Sequence, residues 1–458
     1  MVFSSVIFIF YYLLLVLFAY YVAPKRFRNL VLLCFSLFFY FYGEKQLVVL
    51  LIFSIVFNYF YAKLIEKRHN PWVLALGVSV NVALLFYFKY ANFFVDNLNR
   101  IFNFDIRIAK IVLPIGISFF TFQGLSYLVD VYRGDVKASK SLINFGTYLS
   151  LFPQLIAGPI VRYETVAEEL DHREENVDDF AKGVKRFLVG LFKKIVLANM
   201  FGEAVKTLGA LTSITVTSKW LEAIFATFQL YFDFSAYSDM AIGMGLFFGF
   251  HFLENFNYPL VASSVTDFWR RWHMSLSSWF KDYVYIPLGG SRRGVARQYF
   301  NIFVVWFLTG FWHGADWNFM FWGLFFAVIL VIEKRYTLGF LKKHPHFGTC
   351  LTFVIVVLSF VIFNHSTINE IFANFAVMFG GAPVIDVTTM YYAKSYLVLL
   401  VVGFIGMTPL CKNLYQKLTV KYPTLAANLD VVFVVVTLAV TTAYLLDTSF
   451  NPFLYFRF

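Results

Sequence analysis

The sequence predicts an all-α, polytopic integral membrane protein whose helices form one bundle and one domain across residues 1–458. Hydrophobic residues make up 60% of the chain and charged residues only 14%, whereas an ordinary soluble domain has roughly 25% charged residues. The apolar residues form long runs, and a β-barrel would instead need alternating segments of about ten residues. Aromatic residues make up 21% of the chain, which is more than interfacial belts require, so many rings are expected between helices or along a cavity.

The apolar runs predict about eleven or more membrane crossings. The first run, residues 3–22, has no basic stretch before it and no small-residue cleavage site after it, which indicates a retained transmembrane helix. Lys25, Arg26 and Arg28 follow directly, and the positive-inside rule then places this loop in the cytoplasm and the N-terminus outside. The later apolar runs are 29–43, 46–62, 72–95, 108–131, 141–160, 183–201, 218–250, 298–332, 349–364, 394–411 and 430–447.

The net charge of +11 does not indicate nucleic-acid binding. The excess Lys and Arg residues lie in short loops beside apolar runs, where they orient helices and meet anionic lipid headgroups. The sequence therefore predicts the lipid bilayer as a partner and argues against nucleic acid. No metal site is predicted either, because His344 and His346 lie in a basic loop with no Cys or carboxylate nearby.

Two stretches interrupt the apolar pattern. Residues 161–194 carry too many charged side chains to be embedded and are predicted to form a cytoplasmic loop that enters an amphipathic helix. Residues 251–297 mix Trp, Phe and Tyr with Asp, Arg, Lys and His, which is typical of an interfacial or re-entrant segment. Together with the run that follows, this second stretch forms the region 251–332, in which the candidate catalytic site lies.

The apolar run at 298–332 is too long for one crossing. Its 35 residues, of which Asp316 is the only charged one, would extend about 52 Å as a helix, against roughly 30 Å of hydrocarbon. The run must therefore break, and only residues 310–318, with two glycines, an Asp and an Asn, can supply the break. His313 lies there. Non-helical backbone at bilayer depth is tolerated only inside protein or beside a watery cavity.

His313 is the first candidate catalytic residue. Imidazole is costly in hydrocarbon and is the usual general base near neutral pH. Gly314 has no side chain, so a substrate could approach the ring, and Trp312 flanks the other side. The alternative is a structural role in which the imidazole caps the broken helix through a backbone carbonyl. The residues alone leave both interpretations open.

Three further polar positions are candidates. His273 lies close to Arg270 and Arg271 and is either a second site residue or part of a segment that these arginines anchor at the headgroups. Asp233 and Asp239 lie in an apolar helix, where carboxylates point inward and need partners. They either line a substrate cavity or pair with one of the two arginines.

The chain ends in an aromatic motif at residues 453–458. Four aromatic rings among these six residues favour burial in a groove, and an aromatic anchor at the membrane interface is the alternative. Tyr455 is the candidate nucleophile, because a phenol becomes nucleophilic at neutral pH only with a base such as His313.

These motifs resemble those of the membrane-bound O-acyltransferases, in particular the bacterial membrane components of alginate and peptidoglycan O-acetylation. The resemblance rests on the Trp312-His313-Gly314 block, on the aromatic segment that ends at His273, and on the stretch from Asp233 to Asp239. Further matches, in family order, are 113–118, 154–160, 283–290 and the Phe-Leu-Tyr-Phe ending. Together the matches cover most of the chain from about residue 30 onward.

The resemblance implies a central tunnel through the bacterial cytoplasmic membrane, with His313 as the base and His273 as a second polar residue along it. It implies acetyl-CoA as the cytoplasmic acyl donor and Tyr455 as the residue that carries the acyl group outward. An extracytoplasmic partner of the SGNH esterase-like type would then place the acetyl group on an envelope polysaccharide such as peptidoglycan or alginate. Substrate binding is expected at Trp312, Asp233, Asp239, Arg270 and Arg271.

Two other functions stay open. A relative with the same Trp-His-Gly block transfers D-alanine from a carrier protein to teichoic acid. A carrier protein needs a docking surface, whereas acetyl-CoA needs only a basic cluster for its phosphates, and Arg292 and Arg293 fit the second requirement better. The non-enzymatic alternative is a polysaccharide transporter, because a helical bundle with intramembrane Asp residues suits transport. The sequence has no evident inverted repeat, which weighs against transport.

Overall fold

A computed structural model describes residues 2–447 and Phe453. All regular structure in these residues is helical, and they contain no strand. The all-α prediction is therefore confirmed. The described residues form two compact units, with 2–187, 237–254 and Phe453 in the first, and 188–236 and 255–447 in the second.

The first unit is built mainly from apolar helices. Its helices are Leu13–Val22, Arg28–Glu44, Val48–Arg68, Pro71–Leu85, Ala91–Phe102, Ile117–Arg133, Leu142–Ser150, Phe152–Leu155 and Tyr163–Asp171. Short π-helical turns lie at Phe8–Tyr12 and Phe86–Tyr90, and 3₁₀ turns at Lys25–Phe27 and Lys45–Leu47. The helices Val177–Phe192 and Val216–Phe247 contribute residues to both units.

Buried polar contacts hold the first unit together. Asn58 and Asn81 exchange amide hydrogen bonds of 3.2 and 2.9 Å between two helices, and such bonds join helices where apolar surface alone gives no driving force. Glu175 accepts a hydrogen bond from the Tyr20 hydroxyl at 2.5 Å and pairs with Arg28 at 2.8 Å. The charged stretch that follows residue 160 is thereby fastened to the N-terminal helices.

The second unit combines long apolar helices with an irregular stretch. Its helices are Asn199–Gly209, Val265–Trp269, Met274–Phe280, Val295–His313, Trp317–Ile332, Leu338–Lys343, Pro345–Asn364, Ile368–Met378, Val387–Ser395, Leu397–Gly406, Leu410–Lys421 and Pro423–Asp447. Short π-helical turns lie at Lys193–Ala198, Lys281–Tyr285 and Glu333–Thr337, and a 3₁₀ turn at Pro259–Val261. Residues 255–294 contain only short helices and turns, and their interfacial or re-entrant placement stays a prediction.

Four helical stretches of the described chain are long and apolar enough to cross a bilayer. They are Lys25–Arg68, Pro71–Phe102, Pro345–Asn364 and Pro423–Leu446. A bent pair, Val387–Ser395 with Leu397–Gly406, would make a fifth span with an angle of 51° between its halves. The apolar helices identify a membrane protein, and the larger number of crossings expected from the sequence stays a prediction.

The apolar run at 141–160 is divided between two helices. Residues 141–160 contain the helix Leu142–Ser150 and, after Leu151, the single turn Phe152–Leu155. Pro153 lies in the first turn of the second helix. Proline has no N–H to continue the preceding helix, so the chain must start a new one at this point.

Candidate active site

The helix that contains His313 ends at this residue. Gly314 follows with an extended backbone, φ −165° and ψ 155°. The Asp316 carboxylate then accepts the backbone N–H of Trp317 at 2.7 Å and starts the next helix. The break predicted within residues 310–318 is therefore confirmed, and it brings the imidazole to a helix end.

Glycines allow the two helices beside the break to pack closely. A Cβ on Gly310 would meet the carbonyl oxygen of Phe319, and a Cβ on Gly323 would meet the carbonyl oxygen of Trp306. These backbone atoms cannot move aside as a flexible side chain can, so only glycine permits the approach. The long apolar run is thus a helical hairpin, which we call the His313 hairpin (residues 295–332).

Aromatic rings enclose the His313 imidazole, whose residue is only 6% exposed. The imidazole centroid lies 5.1 Å from the Trp322 ring and 5.6 Å from the Phe363 ring, both edge-to-face. The neighbouring Trp312 ring is also edge-on, at 5.1 Å. The Asn318 amide donates to the Phe363 carbonyl at 2.9 Å and ties this wall to the hairpin. Such contacts favour one orientation of the imidazole.

His273 lies in the irregular stretch and is 1% exposed. Its backbone is left-handed, φ 45° and ψ 54°, where the helix Met274–Phe280 begins. A non-glycine residue in this conformation is strained, and such strain gathers at functional sites. Its imidazole centroid lies 4.8 Å from the Phe234 ring and 6.0 Å from the Trp312 ring. The two candidate histidines therefore flank one tryptophan, and we call this group the histidine cluster (His273, Trp312 and His313).

Asn255 binds His273 and the two residues that follow it. Its fully buried side-chain Oδ1 lies 3.2 Å from Nδ1 of His273. The same oxygen accepts the backbone N–H of Ser275 at 3.1 Å and the Ser275 hydroxyl at 2.9 Å. The backbone carbonyl of Asn255 accepts the N–H of Met274 at 3.0 Å. These bonds fix the left-handed turn and the imidazole together.

Glu333 fixes the start of the short helix Val265–Trp269 within the same stretch. Its buried carboxylate accepts the backbone N–H groups of Val265 and Thr266 at 2.6 and 2.9 Å. The Ser264 hydroxyl accepts the N–H of Asp267 at 3.0 Å. Since the first N–H groups of a helix have no partner within it, these oxygens satisfy donors that burial would otherwise leave without one.

Asp233 and Asp239 each form an ion pair. Asp233 pairs with Lys194 at 2.5 Å in the second unit, and the two side chains are 2% and 3% exposed. Asp239 pairs with Arg186 at 2.7 Å in the first unit. Lys194, the last residue of the charged stretch, is thus buried, and a buried carboxylate compensates its charge. The cytoplasmic location of residues 161–194 stays a prediction.

Arg270 and Arg271 are not the partners of these two carboxylates in the ion pairs that the structure records. Arg271 pairs instead with Asp267 at 3.0 Å, one helical turn earlier in the chain. Arg270 is exposed. Pairing between the helix carboxylates and these arginines, one of the two possibilities that the sequence left open, is therefore wrong, and both arginines lie at the surface of the irregular stretch.

The candidate nucleophile Tyr455 lies outside the described residues. Of the C-terminal motif the structure describes Phe453, which is buried in the first unit and meets the Tyr237 ring edge-on at 5.1 Å. Whether the motif as a whole enters a groove or anchors at the interface stays a prediction. The role of Tyr455 remains a proposal.

Sequence reasoning missed three residues that support the site, namely Lys194, Asn255 and Glu333. Lys194 has one available signal, since an Asp in an apolar helix requires a cation and Lys194 adjoins an apolar run. Asn255 and Glu333 have no comparable signal, because each acts through backbone or ring atoms of residues 18 or more positions away in the chain. Among the described residues no group of three His, Cys, Asp or Glu side chains is arranged to hold a metal ion.

Comparison with known proteins identifies the family of the chain. The model of the MBOAT, membrane-bound O-acyltransferase family, matches residues 135–373. The chain belongs to this family. The matched region contains the complete histidine cluster and the His313 hairpin, and it ends before the C-terminal motif. Membership makes the chain an O-acyltransferase by family and agrees with the resemblance found in its motifs.

Individual relatives extend the match over nearly the whole chain. The chain is 40% identical over 449 residues to the probable alginate O-acetylase AlgI of Pseudomonas aeruginosa, covering 94% of this chain and 85% of the relative. It is 35% identical to the peptidoglycan O-acetyltransferase of Helicobacter pylori, covering 81% and 78%. Similarity to the teichoic acid D-alanyltransferase of Bacillus subtilis is lower, at 29% identity over 47% of this chain.

Proposed function

We propose that the protein is a membrane O-acetyltransferase that moves an acetyl group from a cytoplasmic donor across the membrane for O-acetylation of an envelope polysaccharide. The observation that carries the proposal is the histidine cluster, in which two buried imidazoles flank Trp312 at an enforced break in an apolar run. The named activities of the relatives at 40% and 35% identity supply the acetyl group and the class of acceptor.

The proposed chemistry is acyl transfer with His313 as general base. The imidazole takes the proton of an acceptor hydroxyl, and the hydroxyl oxygen attacks the thioester carbonyl carbon. The new C–O bond forms as the C–S bond breaks, and the proton passes to the leaving thiolate. The products are an acetyl ester and a free thiol, and a positioned base contributes about 10²- to 10⁴-fold to such a rate.

Acetyl-CoA is the proposed donor. The irregular stretch exposes basic side chains at Arg270, Lys281, Arg292 and Arg293, and Arg297 is exposed in the first turn of the helix that follows. Guanidinium and ammonium groups bind phosphates well, and the donor carries several. We propose a multi-pass protein of the bacterial cytoplasmic membrane with about eleven or more crossings. The distribution of Lys and Arg favours an extracytoplasmic N-terminus and places these basic side chains on the cytoplasmic side.

The proposed acceptor path leads from the histidine cluster to Tyr455 and then to an extracytoplasmic partner of the SGNH type. Tyr455→Phe keeps the ring and its packing but removes the hydroxyl, so polymer acetylation should fall to the level of a deletion strain. Full acetylation in this variant would exclude the tyrosine as carrier and restore the anchor interpretation. Mass analysis of sugars from the envelope measures the outcome and also identifies the polysaccharide.

The experiment that tests the proposed function uses membranes from cells that produce the full chain and its natural partners. Radiolabelled acetyl-CoA should lose its acetyl label to polymer in these membranes, and His313→Ala should abolish the transfer at an unchanged protein level. Loss of the protein itself would instead support a structural role for His313. Equal transfer by wild type and variant would reject the proposed function.

A further inference from the structure

We propose that Asn255 is a positioning residue that holds His273 with its proton on Nδ1 and its lone pair on Nε2. This inference rests on the proposed function, since it assigns His273 a proton-accepting role within the acyl-transfer site. It concerns a residue that lies 18 positions before His273 in the chain and shares no sequence motif with it.

The orientation of the Asn255 amide follows from its neighbours. A backbone N–H can only donate, and the N–H of Ser275 points to the side-chain atom 3.1 Å away. That atom must therefore be the oxygen, because the amide nitrogen would oppose one donor with another. The Ser275 hydroxyl at 2.9 Å agrees with this assignment, since it also donates to the same atom.

The proton position on His273 then follows from the same oxygen. Nδ1 lies 3.2 Å from Oδ1 of Asn255, and two lone pairs at this distance would repel, so Nδ1 carries the proton and donates it. The Ser275 hydroxyl has one proton, which it gives to the oxygen at 2.9 Å rather than to Nδ1 at 3.5 Å. A neutral imidazole has one protonated nitrogen, so Nε2 keeps its lone pair.

Two features indicate that this position serves more than stability. His273 is held in a left-handed conformation that is uncommon for a non-glycine residue. The Nδ2 group of Asn255 is buried and has no hydrogen-bond partner among the described residues, which costs stability. A residue chosen for stability alone would avoid both costs, whereas an orienting acceptor for a catalytic imidazole accounts for them.

The experiment compares the initial rate of label transfer from acetyl-CoA in membranes that contain the full chain and its partners. Asn255→Leu removes the acceptor and should lower the rate about 10- to 100-fold, the loss found when the partner that orients a metal-bound histidine is removed. Asn257→Leu is the matched control, because that side chain is exposed and its recorded hydrogen bond to Arg271 uses the backbone N–H. The control should keep the wild-type rate.

The same substitution in a His273→Gln background separates positioning from general support. If Asn255 acts through His273, Asn255→Leu should change the rate less than twofold in that background. An equal loss in both backgrounds would overturn the inference. If wild type itself transfers no more label than His313→Ala, the proposed function has failed. The proton position is then read from the ¹⁵N resonances of His273. These should show a protonated Nδ1 in wild type and no such preference in Asn255→Leu.

Asn255→Asp covers the case in which leucine prevents folding. Aspartate keeps the shape and the acceptor oxygen, so activity should remain within about tenfold of wild type. Its negative charge favours the protonated imidazole, so the acid limb of the pH–rate profile should move to higher pH. An unmoved acid limb in a folded, active Asn255→Asp protein would contradict a role that runs through His273.

Discussion

The two histidines of the cluster reach the same tryptophan by different structural means. His313 is placed by regular structure. The apolar run is too long for one crossing, so its first helix ends at His313, and glycines let the next helix pack closely beside it. His273 is placed by irregular structure, because a left-handed backbone and the bonds of Asn255 hold it. The position of His273 therefore depends on a few individual hydrogen bonds in the irregular stretch at 255–294, which we call the His273 stretch.

This difference predicts where each half of the site is vulnerable. The His313 hairpin should fail when its close helix approach is spoiled, since its contacts involve backbone atoms. The His273 stretch should lose its structure when one buried acceptor or ion pair is removed, because it contains no long helix that would hold its residues in place. Four substitutions test the contrast, and they follow in order of expected effect.

The largest effect is expected for His313→Gln. Glutamine has a similar size and polarity but cannot take up a proton at neutral pH, so label transfer should fall about 10²- to 10⁴-fold while the protein remains folded. His344→Gln is the matched control, because this histidine is exposed and distant in sequence from the cluster. A His313→Gln protein with at least half the wild-type rate would leave the base unidentified.

Breaking the buried Lys194–Asp233 pair should destabilise the second unit by about 3–5 kcal/mol, because one charge is left in the interior without its partner. Asp233 precedes Phe234, whose ring lies against His273, so Asp233→Asn should also lower the transfer rate. Thermal unfolding in detergent measures the first effect. The double variant Lys194→Met/Asp233→Leu should recover most of the stability; no recovery would mean that the pair has a role beyond charge compensation.

Gly310→Ala should separate the two helices of the His313 hairpin. The added methyl group meets the Phe319 carbonyl and the Gly323 backbone, and overpacking of this kind costs about 1–3 kcal/mol. Gly339→Ala provides the control, because a Cβ there has no atom within 4 Å. The Gly310 variant should unfold at a lower temperature than the Gly339 variant. Equal unfolding temperatures would show that the hairpin accommodates the added methyl group without loss of stability.

The smallest effect is expected at Glu333. Removing both acceptors in Glu333→Ala should cost about 0.5–2 kcal/mol, the usual value of a helix cap, and should lower label transfer because the start of the His273 stretch loosens. Glu333→Gln retains one acceptor oxygen, so its loss should be smaller. An alanine variant as stable and active as the glutamine variant would indicate that Ser264 alone suffices at this helix start.

The sequence was sufficient for the fold class and for one half of the site. Length and composition dictated helices, and the arithmetic of the run 298–332 located the break to within a few residues of 314–316. The fold class and the position of the break both depend on local properties of the sequence, namely hydrophobicity and the length of the apolar runs. The same reasoning treated residues 141–160 as one apolar run, whereas a new helical turn that contains Pro153 begins there.

The other half of the site needed the structure, for a physical reason. Asn255 and Glu333 act on residues 18 and 68 positions away, and no local pattern encodes which polar groups meet across such distances. The partner of Asp233 shows the same limit: the need for a cation was evident from the apolar helix, but the choice of Lys194 over Arg270 or Arg271 depends on how the helices pack.

The measurement that tests the central claim most directly is a double-mutant cycle of His313→Gln and His273→Gln, read as the rate of acetyl transfer from labelled acetyl-CoA in membranes with the natural partners. Residues that act as one catalytic unit give strongly non-additive losses. If the histidine cluster is one acyl-transfer site, the double variant should be within about threefold of the slower single variant. Losses that multiply would show that the two histidines act independently and would contradict a single site around Trp312.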